Sequence, residues 1–133
     1  MLFGQEHVKR YRATDGKEGH DWQGTSTLLL ATTGRKTGKE RTTPLIYQEH
    51  DGDYLIVASN GGDDQPPAWY LNLEEKPEAK VQVWGDVFDA DVRVATDEEK
   101  PEMWSKMTAT WPSYDDYQSK TDRPIPIVVL QRR

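Results

Sequence analysis

An alternating run over residues 79–84, a Gly85-Asp86 turn and a second alternating run over residues 87–94 place a β-hairpin in the middle of this chain. Period-two alternation buries one face of each strand, and an isolated hairpin is marginal in water, so the chain has to supply more strands. Four other extended segments answer that need. Residues 24–33 have an apolar centre at Leu28, Leu29 and Leu30, residues 41–47 resume extended structure after a basic turn, residues 54–59 carry Leu55, Ile56 and Val57, and residues 125–130 carry Ile127, Val128 and Val129. Pro44 confines its strand to an edge, a bulge or a strand start, because proline offers no N–H to a ladder. Asp51-Gly52 reads as a hairpin turn, and Asn60-Gly61-Gly62 ends the 54–59 strand with backbone free to take positive φ.

Short helices fit between these strands. Leu2, Phe3, Val8 and Tyr11 recur at loosely helical spacing before the glycine-bearing stretch 14–19 stops the pattern. Pro66 and Pro67 start a helix that ends before Pro77. Thr96 and Glu99 form a capping box, which predicts a helix from 97 to about 110, and residues 111–117 begin another. Six mostly antiparallel strands with helices at the edges make a mainly β fold with flanking helices, patterned as a small closed barrel. A length of 133 residues supports one core. The division expected is a helix and loop over 1–20, acting as a loose lid, and a single barrel domain over 21–133.

Seventeen Lys and Arg against 23 Asp and Glu give a formal net charge of −6. That balance, with a pI of about 5.0, argues against nucleic acid as a partner. The absence of cysteine excludes a disulfide framework, a thiolate nucleophile and any sulfur-based metal site. No segment reads as a signal peptide, and no apolar run approaches the ~18 residues of a membrane span. The expectation is a cytoplasmic protein. Its N-terminal segment could make weak peripheral contact with the inner face of the membrane, with Lys9, Arg10 and Arg12 offset by Glu6 and Asp15.

Against the acidic average, residues 34–41 hold four cations, Arg35, Lys36, Lys39 and Arg41, and one anion, Glu40. The turn is not a P-loop: three residues rather than four separate Gly34 from Gly38, and Glu40 stands where Ser or Thr would hold magnesium. It also joins two extended segments. Two readings remain, a solvated hairpin turn and a site for phosphate or carboxylate groups. In the second, Lys36 and Arg41 aim charge-assisted hydrogen bonds at oxygens while Gly34 and Gly38 let backbone amides approach. His7, His20 and His50 are isolated in sequence, so no metal is expected. Ser59 lies outside any nucleophile elbow. A chain with few conventional catalytic groups but five Trp and six Tyr would do difficult chemistry most easily through a planar cofactor.

Four ordered motifs bear a family resemblance: residues 34–44, residues 57–62, residues 67–73, and residues 114–118 with 121–126. They are similar to those of the deazaflavin-dependent nitroreductases, also described as deazaflavin-dependent quinone reductases. The resemblance implies a split, flavin-reductase-like β-barrel that binds coenzyme F420, a deazaflavin whose tail carries a phosphate and a string of glutamates. By the same resemblance Lys36 and Arg41 would hold the tail, with Arg35 and Lys39 at its rim. Pro44, Ala58, Ser59, Trp69 and Asn72 would border the ring or its ribityl chain. Asn60 stands where the family often carries lysine, which removes a cation from the tail contact. Tyr114 and Tyr117 would face the acceptor, with Ser59 beside them as a third group in the chemistry.

The activity implied is hydride transfer from reduced F420 to an electron-poor acceptor, a quinone or a nitro compound. The alternatives are a non-catalytic deazaflavin carrier and a flavin-using split-barrel oxidoreductase. Without the resemblance, Tyr114 and Tyr117, three apart on a helix, read as core packing first.

Overall fold

The computed structural model describes residues 2–133, so residue 1 of the expected 1–20 segment lies outside it. The chain runs α1 (Gly4–Thr14), β1 (Asp21–Trp22), β2 (Thr25–Thr33), β3 (Glu40–Ile46), β4 (Gln48–His50) and β5 (Asp53–Val57). A single 3-10 turn (Asn60–Gly62) leads to α2 (Ala68–Glu75), β6 (Glu78–Val83), β7 (Asp86–Val94), α3 (Lys100–Thr110), α4 (Ser113–Ser119) and β8 (Ile127–Arg132).

Every strand pair is antiparallel. The sheet runs β1-β2-β6-β7-β8-β5-β4, with β3 paired to β2. β3 approaches β5 without a hydrogen-bonded ladder between them. The barrel is therefore split rather than closed. Pro44, opposite Leu29 in the β2–β3 ladder, sits on a strand that pairs on one side only, as its missing N–H requires.

Alternation sorts the core into layers. Leu28 and Leu30 of β2, Ile56 of β5 and Val128 and Leu130 of β8 fill the barrel interior. Their neighbours Leu55, Val57, Ile127 and Val129 point outward onto Met103 and Met107 of α3 and Tyr114 of α4. A strand covered on both faces reads as a continuous apolar run, as β8 does. Leu29 faces out on the other side, where Val8 and Tyr11 of α1 cover it.

Several boundaries move for physical reasons. The central hairpin turns at Trp84-Gly85 rather than Gly85-Asp86, since Val83 pairs with Asp86. Trp84 adopts φ 55°, costly for a bulky residue. Its ring stacks on His20 at 3.7 Å and its amide donates to the Tyr11 hydroxyl at 2.9 Å, contacts that offset the cost. The predicted helix at 97 starts at Lys100. The capping box is nonetheless formed: the Thr96 amide donates to Glu99 Oε1 at 2.9 Å and the Glu99 amide to Thr96 Oγ1 at 3.3 Å. The last strand begins at Ile127 rather than 125 because Pro126 has no N–H to pair. β1 and β4 add two short strands to the expected six.

Candidate active site

The basic turn hangs between β2 and β3, closed by backbone bonds from the Gly34 amide to the Lys39 carbonyl and from the Gly38 amide to the Gly34 carbonyl, both 2.8 Å. Gly38 takes φ 72°, a conformation that other residues enter at a cost. Asn72 of α2, buried beside the turn, pins it. Its Oδ1 accepts from the Arg35 amide at 3.1 Å and from the Arg35 guanidinium at 3.0 Å, while its Nδ2 donates to Thr32 Oγ1 at 3.1 Å. A loop with four cations would otherwise splay apart. The amide instead fixes Arg35 to the helix and to the end of β2.

These residues line an open groove of about 740 Å³. Arg35, Lys36 and Arg41 come from the turn and its exit into β3, Trp69 and Asn72 from α2, and Gln5 and Arg12 from α1. Glu40 is the single carboxylate on the groove, against four cationic side chains. A groove of that sign and width suits an extended polyanion.

A second cavity, about 320 Å³, is lined by no Lys, Arg, Asp or Glu. Pro44, Leu45 and Ile46 continue β3 into it, so one strand serves the groove with its first half and this cavity with its second. Phe3, Trp22 and Trp111 add flat apolar surface. The polar groups on its wall are the hydroxyls of Thr27, Ser59, Tyr114 and Tyr117 and the His7 imidazole.

Their hydrogen bonds limit what each can do. Thr27 Oγ1 donates to the Gly19 carbonyl at 2.5 Å. His7 Nε2 lies 2.8 Å from the same carbonyl, an acceptor only, so the ring proton sits on Nε2. Tyr117 Oη accepts from the Trp111 indole N–H at 3.3 Å, which leaves its own proton for another partner. Tyr114 is buried, and burial first, then the neighbouring Tyr117, pushes its phenol above the ordinary range. It therefore keeps its proton at neutral pH. The two rings meet edge to face at 6.1 Å, as their spacing of three on α4 requires.

Ser59 reaches this cavity from the turn after β5, and Arg123 holds that turn. Its guanidinium donates to the Ala58 carbonyl at 3.3 Å and the Ser59 carbonyl at 2.8 Å, and its Nε to the Asp63 carbonyl at 2.8 Å. Gly62 has to be glycine there: with φ 86°, an added Cβ would lie 2.7 Å from the Tyr117 carbonyl. The Ser59 turn and the tyrosine helix are thus packed backbone to backbone.

The structure divides the expected site residues between the two cavities. Arg35, Lys36, Arg41, Trp69 and Asn72 meet at the groove, and Pro44, Ser59, Tyr114 and Tyr117 at the apolar cavity. Lys39, Ala58 and Asn60 line neither. Lys39 is exposed on the turn, Ala58 is fully buried in the barrel core, and the Asn60 side chain donates to the Gln65 carbonyl at 2.9 Å within its own loop. Sequence reasoning missed Gln5, Arg12, His7, Trp22, Trp111 and Arg123 as contributors. Only Trp22 and Trp111, aromatic and flanked by turn residues, carry a local signal; the others are revealed by long-range contacts alone.

A protein family described as F420H(2)-dependent quinone reductase matches residues 3–132. An F420H(2)-dependent quinone reductase of Mycobacterium tuberculosis is 41% identical over 131 residues, covering 96% of this chain and 88% of the relative. A solved F420-H2 dependent reductase superposes with a TM-score of 0.73 at 40% identity, over 79% of this chain and 93% of that one. A structure described as a domain-swapped dimer gives a TM-score of 0.77 at 37% identity, over 95% and 92%.

Proposed function

Because the chain belongs to the F420H(2)-dependent quinone reductase family, we propose that it reduces quinones, and electron-poor nitro compounds of similar shape, with reduced F420. The observation that carries this reading is the pair of open cavities along β3, one cationic, the other apolar and free of charged side chains. The residues fit the cofactor's chemistry: a groove with four cations against one carboxylate suits an anionic tail, and Trp69 and Pro44 present flat apolar surface for a ring. When bound, the reduced deazaflavin supplies a hydride.

The chain's own groups do the rest. Lys36 and Arg41 bind tail oxygens by charge-assisted hydrogen bonds, and Asn72 orients Arg35 toward the same groove. Lys39 and Asn60 stand at the rim. Pro44, Ser59 and Trp69 border the ring, whereas Ala58 packs in the barrel core behind them. The apolar cavity excludes water around a quinone, so a hydrogen bond offered there is stronger than in solvent. Tyr114 and Tyr117 offer such bonds, through phenol oxygens, to an acceptor oxygen as negative charge develops on it. Ser59 offers a third hydroxyl from a turn that Arg123 keeps in place.

Among the described residues, no helix is long and apolar enough to cross a membrane. A cytoplasmic location, with residues 1–20 as the lid of the 21–133 barrel and with weak membrane contact through that segment, completes the proposal. The test is steady-state oxidation of reduced F420 with menadione and with a nitroaromatic. Turnover with the quinone is expected. Tight binding of F420 without turnover on either acceptor would make the protein a carrier instead.

A further inference from the structure

Helix α1 touches both cavities. Gln5 and Arg12, seven residues and about two turns apart, lie on one face of the helix and line the groove, whereas Phe3, Gly4 and His7 line the apolar cavity. The helix is fastened to β3 at the place where the two cavities divide. Gln5 Nε2 donates to the Thr42 carbonyl at 3.3 Å, and an Arg12 guanidinium nitrogen donates to Thr42 Oγ1 at 2.9 Å. The carbonyl lies on a strand that pairs on one side only, so the glutamine amide replaces a missing ladder partner.

Arg12 is half exposed and also lies 3.8 Å from Glu40, the lone carboxylate of the groove. At that distance and exposure the pair is loose and screened by solvent. A cation held over an anion-binding groove by a hydroxyl and a distant carboxylate is available to a ligand oxygen. The basic turn forms one wall of the groove, with Arg35, Lys36 and Arg41. Arg12 adds a fourth cation to the groove from α1, an element far from the turn in sequence, and meets β3 at Thr42 and Glu40, on either side of Arg41.

Resting on the F420 reading above, we propose that Arg12 is a ligand of the cofactor's anionic tail. Through it, α1 clamps the tail against the basic turn, and the same helix holds Phe3 and His7 on the wall of the acceptor cavity. Tail binding then steadies the helix that completes the acceptor site. An extended polyanion is the ligand class that draws on Arg12 and the turn together, because a single phosphate is satisfied by the turn alone.

The test compares wild type with Arg12→Ala, Arg12→Lys and Arg10→Ala. Arg10 lies roughly 160° around the helix from Arg12, pairs with Glu6 and Glu18, and lines neither cavity, so it controls for helix stability. Titration with F420 should give a Kd raised by about 5- to 30-fold in Arg12→Ala, partly restored in Arg12→Lys and unchanged in Arg10→Ala. The tail-less deazaflavin, ring and ribityl chain alone, should bind all four proteins equally. Amide hydrogen exchange over residues 4–14 should slow when F420 binds wild type, and this protection should be lost in Arg12→Ala. Wild-type F420 affinity in Arg12→Ala would overturn the inference while leaving the cofactor reading intact. Equal losses in Arg10→Ala and Arg12→Ala would also overturn it, assigning the effect to the helix rather than to the contact. A wild-type protein that fails to bind F420 would overturn both.

Discussion

The groove and the apolar cavity share a strand and a helix but are built on opposite physical terms. The groove gathers four cations around one carboxylate on exposed turn and helix surfaces, where solvent screens each contact. The cavity brings hydroxyls and an imidazole to an aromatic wall that carries no Lys, Arg, Asp or Glu. On the proposed function, binding strength would belong to the first region, because many weak, long-range attractions add along a polyanion. Chemistry would belong to the second, because a hydrogen bond offered beside a bound acceptor on an apolar wall counts for more. Substitutions should therefore separate cleanly, those in the groove changing affinity and those in the cavity changing rate.

The largest effect expected is on rate. Tyr114→Phe removes a hydroxyl that burial keeps protonated, while the ring that packs on Met103 and Met107 remains. Turnover should fall about 10- to 10³-fold with little change in F420 affinity, a range set by positioned donors and acids. Tyr117→Phe should lower the rate as well, and there the Trp111 indole N–H also loses its acceptor. Steady-state rates with menadione beside a binding titration check both. Wild-type rates in both variants would return these tyrosines to core packing and break the division of labour.

Next in size is the groove. Arg41→Ala should weaken F420 binding by about 1 to 3 kcal/mol and leave the melting temperature of the ligand-free protein close to wild type, because Arg41 is exposed. Asn72→Ala should lower both. The Arg35 amide and Thr32 Oγ1 each lose a partner, at a cost of about 1 to 3 kcal/mol in stability, and the turn loses its anchor. Chemical denaturation and titration of the same preparation separate the two terms. An Asn72→Ala protein with normal affinity would show that the turn holds its shape unaided.

The smallest effect lies outside both regions. Hydrogen bonds from the Arg93 guanidinium, with help from the Thr96 amide, pull the Glu99 carboxyl down to about 2. A depressed folded-state value adds stability above the ordinary carboxylate range, and that stability is lost as pH falls toward about 2. Melting temperature followed from pH 5 downward should fall more gently in Glu99→Gln than in wild type, with F420 affinity equal in the two. A change in affinity would mean that the capping box of α3 communicates with the site.

Much of this architecture was legible because it is local. Alternation marked β6 and β7, extended segments between turns marked β2, β3, β5 and β8, Asp51-Gly52 marked a turn that takes positive φ at both residues, and Thr96 and Glu99 marked a capping box that forms. The basic turn stood out by charge, which on its own fitted a solvated turn as well as an anion site. What stayed hidden depends on contacts between distant residues. Arg123 organises the turn 64 residues before it, and no period or spacing encodes that. Trp84 leaves its strand because His20 and Tyr11 reward the bend. α1 showed its apolar stripe, whereas the roles of Gln5 and Arg12 come from Thr42, a residue on another element. β1 and β4, at two and three residues, are too short to show a period.

The central claim, that the groove is built for a polyanionic deazaflavin tail, is tested most directly by titrating the wild-type protein with F420 and with flavin mononucleotide at low and high salt. The account predicts that F420 binds at least about 10-fold more tightly, a difference of ~1.4 kcal/mol, and that added salt erodes this advantage. Equal affinities for the two ligands, or an F420 affinity indifferent to salt, would contradict it.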